Sequence, residues 1–180
     1  MKTIFQALGL YVLAMATAAR GQSAPSAESA PEVVEALTFE RHVLQAISDS
    51  DRIEIVEHSH EHDFMGWTTQ PISHRETVYQ RVDLSSQKTA ELVEIATTVK
   101  GRTDYMTACM PAPHYTFYFY AQGEKVDQFD VCFECGKVIW FGLGPPMEFF
   151  PRLASLVTSI GMQPKSNFRE RARLNQGKTP

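Results

Sequence analysis

An α+β domain, built on a mostly antiparallel sheet of about five strands with helices packed on one face, is the fold class this sequence predicts. Three observations carry it. The chain has 180 residues, 43% hydrophobic and 21% charged, which suits one globular domain. Strand-like segments cluster between Tyr115 and Phe141 instead of alternating strictly with helices, which favours antiparallel pairing. Three separate stretches carry apolar residues at helical spacing.

The N-terminal residues 1–21 read as a secretory signal. Lys2 supplies a positive start, Ile4 to Ala14 form a short apolar core, and Ala14, Ala16, Ala18, Ala19 and Gly21 offer small residues for cleavage. The apolar stretch is interrupted by Gln6 and is shorter than the roughly 20 residues a membrane span needs. No integral span is expected after signal cleavage, and the localisation implied is periplasmic or secreted. Residues 22–31, rich in Ser, Ala, Pro and Glu, read as a flexible linker to a single domain over 32–164.

Within that domain Val33, Leu37, Leu44 and Ile47 predict a helix through Ser50, and Arg52 to Glu57 alternates as a strand half facing solvent. Thr77 to Val82 is a second strand. Ser85 or Ser86 caps a helix running to Lys100, with Leu92, Val93, Ile95, Ala96 and Val99 on its apolar side. Tyr115 to Ala121 and Lys125 to Phe133 flank Gln122-Gly123-Glu124 and predict a hairpin, which Lys137 to Phe141 continues. After Pro145-Pro146, Phe149, Phe150, Leu153, Leu156, Val157 and Ile160 mark a last helix. Residues 165–180, with Arg169, Arg171, Arg173 and Lys178, read as a solvated, frayed tail.

Charge narrows the function classes. Removing Lys2 and Arg20 with the signal takes the 17 basic residues to 15 against 21 acidic ones, formally −6. An acidic chain argues against a nucleic-acid partner. No Gly-x-Ser-x-Gly, phosphate loop or dinucleotide fingerprint occurs.

The strongest chemical signal is a cysteine and histidine cluster. Cys132-Phe133-Glu134-Cys135-Gly136 joins two predicted strands, a context closer to a zinc knuckle than to a thioredoxin-type helix start. Cys109 and His114 bracket a proline-stiffened loop leading into the strand that pairs with Cys132, so Cys109, His114, Cys132 and Cys135 can supply four zinc ligands. Asp130, two residues before Cys132, is placed to accept a hydrogen bond from a ligating His. A disulfide with one thiol left over is the competing reading for an exported chain with three cysteines, and buried apolar cysteines are a third.

Cys109-Met110-Pro111-Ala112-Pro113-His114-Tyr115 and Val131-Cys132-Phe133-Glu134-Cys135 give the chain, from about Glu40 to Gln163, a likeness to a known group. It resembles a widespread family of uncharacterised exported bacterial proteins with Cys-x-x-Pro-Arg-His-Gly and Ile-Cys-Phe-Glu-Cys stretches. The Cys-to-His spacing matches, while Ala112-Pro113 stands for the usual Pro-Arg and Tyr115 for the usual Gly. Phe64-Met65-Gly66-Trp67 is similar to the family's Phe-His-Gly segment, with Met65 in place of His. The resemblance implies a fold and a Cys/His site, and no activity.

Other signals are weaker. His58, His60 and His62 would share one face of an extended backbone and form a possible second metal site, although exposed loop histidines fit the composition as well. His42 and His74 read as surface residues. Asp104, Asp127, Asp130, Glu134 and Glu148 show no spacing that acid/base work demands. The functions left open are a non-enzymatic exported domain stapled by zinc with an unknown protein or small-molecule partner, a thiol redox protein cycling Cys132 and Cys135, and a periplasmic metal carrier with a histidine entry site.

Overall fold

The computed structural model describes residues 31–65, 76–100 and 108–176. It has a five-stranded sheet in the order β2-β1-β3-β4-β5, antiparallel at every pairing. The strands are β1 (Arg52–His58), β2 (Val78–Asp83), β3 (Tyr115–Ala121), β4 (Glu124–Cys132) and β5 (Lys137–Ile139). With them go helices α1 (Pro31–Ser48), α2 (Ser86–Thr98), α3 (Phe149–Ser159) and α4 (Phe168–Gln176). The α+β class and the antiparallel sheet are as the sequence implies. No described helix is long and apolar enough to cross a membrane.

Register explains the core. Ile53 lies opposite Phe119, Ile55 opposite Phe117, and Phe117 opposite Phe129, so these side chains share one face of the pleat. They join Phe39 and Val43 of α1, Leu92 and Ile95 of α2, and Phe149, Leu153 and Leu156 of α3 in one apolar cluster. The β3–β4 turn is a two-residue one: Gln122 (φ 54°) and Gly123 (φ 84°) both occupy the left-handed region, which matches the strand twist. Gln122 tolerates it while its backbone N–H donates to Asp51 at 2.7 Å.

Four expectations change. In α1 the buried row is Phe39, Val43 and Ala46, while Leu37 is 49% exposed; the side chain of Val33 lies outside those described. Phe39 wins the inward position because its ring packs edge-on against Phe149 at 5.1 Å and Trp140 at 6.0 Å. Strand β1 is buried on both faces from Ile53 to His58: Ile53 and Ile55 join the apolar cluster and Arg171 covers Glu57 on one face, while Arg81 lies on Glu54 and Thr116 on His58 on the other. β5 stops at Ile139, and Phe141 turns to φ 48°.

The fourth change is the C-terminal tail. Part of residues 165–180 forms α4, with Phe168 and Ala172 buried on one side, i and i+4. Arg171 from that helix reaches the interior and grips Glu57 with two hydrogen bonds, at 2.9 and 2.8 Å. A charged sequence gave no hint of this, since the partner is 114 residues away. The expected signal, most of the linker, His74, Asp104 and Lys178 lie outside the described residues.

Candidate functional site: a buried His–Asp pair in a two-lobed cleft

His114 stands one residue before β3, and its backbone N–H donates to Val131 O at 3.3 Å, which places it beside the end of β4 as the hairpin requires. Nε2 donates to the Asp63 carboxylate, 3.0 Å from Oδ1 and 3.1 Å from Oδ2, and the ring stacks on Phe168 of α4 at 3.8 Å with 7° between planes.

Asp63 is held by local chain geometry. Glu61–Asp63 form one 3₁₀ turn capped by His60: the His60 N–H donates to Asp63 Oδ2 at 2.8 Å, and His60 Nδ1 accepts from the His62 N–H at 3.3 Å. Burial alone would raise the Asp63 carboxyl. The bonds from His114 and from the His60 backbone outweigh it, so the group is held below the usual carboxylate range. Burial, together with the nearby His62 and His114 rings, pulls the His60 imidazole below its ordinary value.

The three alternating histidines therefore part company. Strand geometry ends at His58, which is buried with Nε2 2.9 Å from Thr116 Oγ1 and Nδ1 3.0 Å from Ser59 O. Neither of its ring nitrogens is left for a metal. His60 and His62 instead gather near His114, with ring centroids 4.6 Å apart for the first pair and 6.3 Å for His60 and His114. Asp130 does not serve His114 either: it accepts from Thr116 Oγ1 at 2.6 Å, closing a His58–Thr116–Asp130 chain on the other side of the strand. Asp63 takes the role expected of Asp130. Its position directly after the histidine run was visible in the sequence, but the fold alone brings it to His114 across 51 residues.

Cys109 and Cys135 are joined as a disulfide, with Cα atoms 5.7 Å apart, and Cys132 is a buried free thiol. The four-ligand set of Cys109, His114, Cys132 and Cys135 is thus not assembled, because two of its three sulfurs are bonded to each other. No group of three or more potential ligands suited to a metal occurs among the described residues. The Cys132–Cys135 pair of the redox reading is likewise not the pair formed. Gly136 (φ 55°) makes the tight turn after Cys135, where a Cβ would come 3.0 Å from Met147 Cε.

The bridge ties the loop before β3 to the β4–β5 turn, and both segments line a cleft. One lobe, of about 440 Å³, has largely apolar walls that include Phe133, Phe150, Ala154 and Pro164. The other, of about 770 Å³, is more polar and includes His62, Asp63, Met110, Lys165 and Arg169. The two share His114, Glu134, Lys165, Ser166 and Phe168. No protein family, characterised protein or solved structure matches the chain.

Among the other acids, Asp127 accepts from Trp140 Nε1 at 3.0 Å, and Glu148 precedes α3 without a side-chain cap. His42 is exposed on α1, bonded to Thr38 O at 2.8 Å.

Proposed function

We propose that this chain is an exported, non-enzymatic binding domain, braced by the Cys109–Cys135 disulfide, that takes a small molecule into the cleft beside His114 and Asp63. The observation that carries this reading is the His114–Asp63 pair stacked under Phe168, where the apolar and polar lobes meet. A cleft of this size with apolar walls and a few fixed polar groups is the usual form of a small-molecule site. His114 serves as a rigid wall: its Nε2 is spent on Asp63 and one ring face on Phe168.

The disulfide favours a structural role for the cysteines. Closing a separation of 26 residues stabilises the fold by roughly 3.5 kcal/mol on the chain-entropy scale. Cys132 and Cys135 are 2% and 3% exposed, which keeps both sulfurs from an external thiol and does not suit a cycling pair.

The test has two parts. Protein purified from an exporting host without reductant or chelator is expected to show a Cys109–Cys135 bond by peptide mapping, one free thiol at Cys132 and no stoichiometric metal. One zinc with three titratable thiols would replace the brace by the metal staple. Nile red, an uncharged fluorescent probe, is expected to bind the folded protein and to lose binding in Ala154→Trp, which fills the apolar lobe; equal fluorescence in both proteins would remove the cleft as the binding site.

A further inference from the structure

We infer that the Cys109–Cys135 disulfide and a Cys3His zinc site are alternative states of one cluster, so that the chain takes up zinc only when that bond is reduced. This rests on the disulfide proposed above as the brace and is independent of what the cleft holds. With the bond closed, no group of three His, Cys, Asp or Glu side chains able to hold a metal occurs among the described residues. Reduction changes this, because it returns two sulfurs to a place where two further donors already lie.

The backbone fixes that place. The segment from Cys109 to His114 runs beside the segment from Cys132 to Cys135, and the two are tied at both ends. At one end Cys109 and Cys135 have Cα atoms 5.7 Å apart, with Cys135 Sγ 3.6 Å from Met110 O. At the other end the His114 N–H donates at 3.3 Å to the carbonyl of Val131, the residue before Cys132. Four donors thus stand at the corners of a closed ring of backbone, the number and kinds a structural zinc site uses. His114 is already oriented for the part. Its Nε2–H is held by both oxygens of Asp63, which leaves the lone pair of the neutral ring on Nδ1, and Nδ1 has no hydrogen-bond partner among the described residues. A carboxylate on the far nitrogen is the usual support of a metal-binding histidine, fixing its tautomer and making the free nitrogen a better donor. The brace uses two cysteines and leaves Cys132 over, whereas the zinc state uses all three.

A dithiol reductant enters through Cys109, which is half-buried while Cys135 is 3% exposed. Its thiolate attacks Cys109 Sγ, the S–S bond breaks, and Cys135 leaves as a thiolate that takes up a proton. The second thiol of the reductant then displaces Cys109, and the reductant departs as a disulfide, having passed two electrons and two protons to the protein. Zinc replaces one proton on each of Cys109, Cys132 and Cys135 and binds His114 Nδ1. Oxidation of Cys109 and Cys135 by a small-molecule disulfide reverses the exchange and expels the metal.

Cobalt(II) titration of the chain purified from an exporting host, before and after reduction by a phosphine, tests this. The reduced chain is expected to bind about one cobalt in a four-coordinate site, seen as thiolate-to-cobalt charge transfer with intense visible bands. Zinc should displace the cobalt and raise the melting temperature of the reduced chain; the disulfide form should show neither effect. Cys132→Ser leaves the disulfide pair in place and should lose the charge-transfer intensity of one thiolate along with the tight complex. Asp63→Asn should keep the visible spectrum and weaken zinc binding by roughly ten- to a hundredfold. Metal binding by the disulfide form, no binding by the reduced form, or wild-type affinity in Cys132→Ser or His114→Ala would overturn the inference. Binding without a rise in melting temperature would mark an unfolded chain collecting metal and would overturn it as well. One zinc in protein purified without reductant is a different failure, since it would remove the brace itself.

Discussion

Strand β1 carries two glutamates three positions apart, and each is held by an arginine and a tyrosine, on opposite faces of the sheet. Glu54 accepts from Arg81 Nη1 at 3.0 Å and from Tyr120 OH at 3.2 Å, with Arg52 3.8 Å away. Glu57 accepts from Arg171 through both carboxylate oxygens and from Tyr115 OH at 2.7 Å. The chemistry is the same and the surroundings are not. Both carboxylates are largely buried, at 12% for the Glu54 side chain and 2% for Glu57, but the arginines differ more: Arg81 and Arg52 are 53% and 40% exposed and Arg171 30%. Water competes more for the arginines of the first set than for Arg171 and is excluded more fully from Glu57 than from Glu54. Burial by itself would raise the Glu57 carboxyl, but the bonds from Arg171 and Tyr115 outweigh it and hold the group below its usual range. Burial and the bond to Glu57 push the Tyr115 phenol well above its ordinary value, so it stays a donor.

The largest break in this comparison should come from Arg171→Met. It leaves Glu57 buried without its counter-charge and is expected to cost about 3 kcal/mol in urea unfolding, the low end for orphaning a buried charge because Arg171 is partly open to water. Glu57→Leu combined with Arg171→Met should be less destabilised than Arg171→Met alone, since no charge is then stranded. A greater loss in the double variant would show that the pair contributes mainly through packing of α4.

Next in size are the tyrosines. Tyr115→Phe removes a buried hydrogen bond to a charged acceptor and is expected to cost about 1.5–3 kcal/mol, against less than about 1 kcal/mol for Tyr120→Phe. Similar losses at both sites would mean that the two sets do not differ as their exposure implies.

The pH dependence sharpens the contrast. Glu57 has a depressed folded-state pKa, so its contribution is complete above the ordinary value of 4.5 and is lost as pH falls from there through the lower folded value. In that window the unfolded chain binds more protons, and stability falls with acidity. Glu57→Gln should flatten this part of the acid-unfolding curve, although Asp63, also depressed, will leave a residual slope. The smallest effect is expected at the exposed set: Arg81→Gln should cost less than about 1 kcal/mol and the cost should shrink in high salt, as measured by urea unfolding.

Much of the architecture was legible because it depends on local rules. Ser85 caps α2 through its Oγ, which accepts from the Lys88 N–H at 3.3 Å, as a serine before an apolar helical row predicts. The Gln122-Gly123 turn and the aromatic strands around it set the hairpin, and the hairpin put His114 beside the end of β4. Periodicity misplaced the buried row of α1 because it weighs spacing and not ring size, and Phe39 has the larger surface to bury.

The candidate site was legible in its residue types and misleading in its partners. Cys109, His114, Cys132 and Cys135 do gather at one end of the sheet, where Cys109 bonds Cys135 and Asp63, not Asp130, accepts from His114 Nε2. Nothing within a few residues of Arg171 shows that it has a buried counter-charge. The sequence by itself determined the elements, the β3–β4 hairpin and the convergence of the cysteine and histidine segments, because turn chemistry and alternating burial act over a few residues; the register, set by a two-residue turn and a shift at Phe119/Tyr120, was not read from it. Only the tertiary structure decided that Cys109 pairs with Cys135, that Asp63 holds His114 and that α4 closes over Glu57, because those choices rest on contacts between distant segments whose free energy exists only once water has been excluded between them.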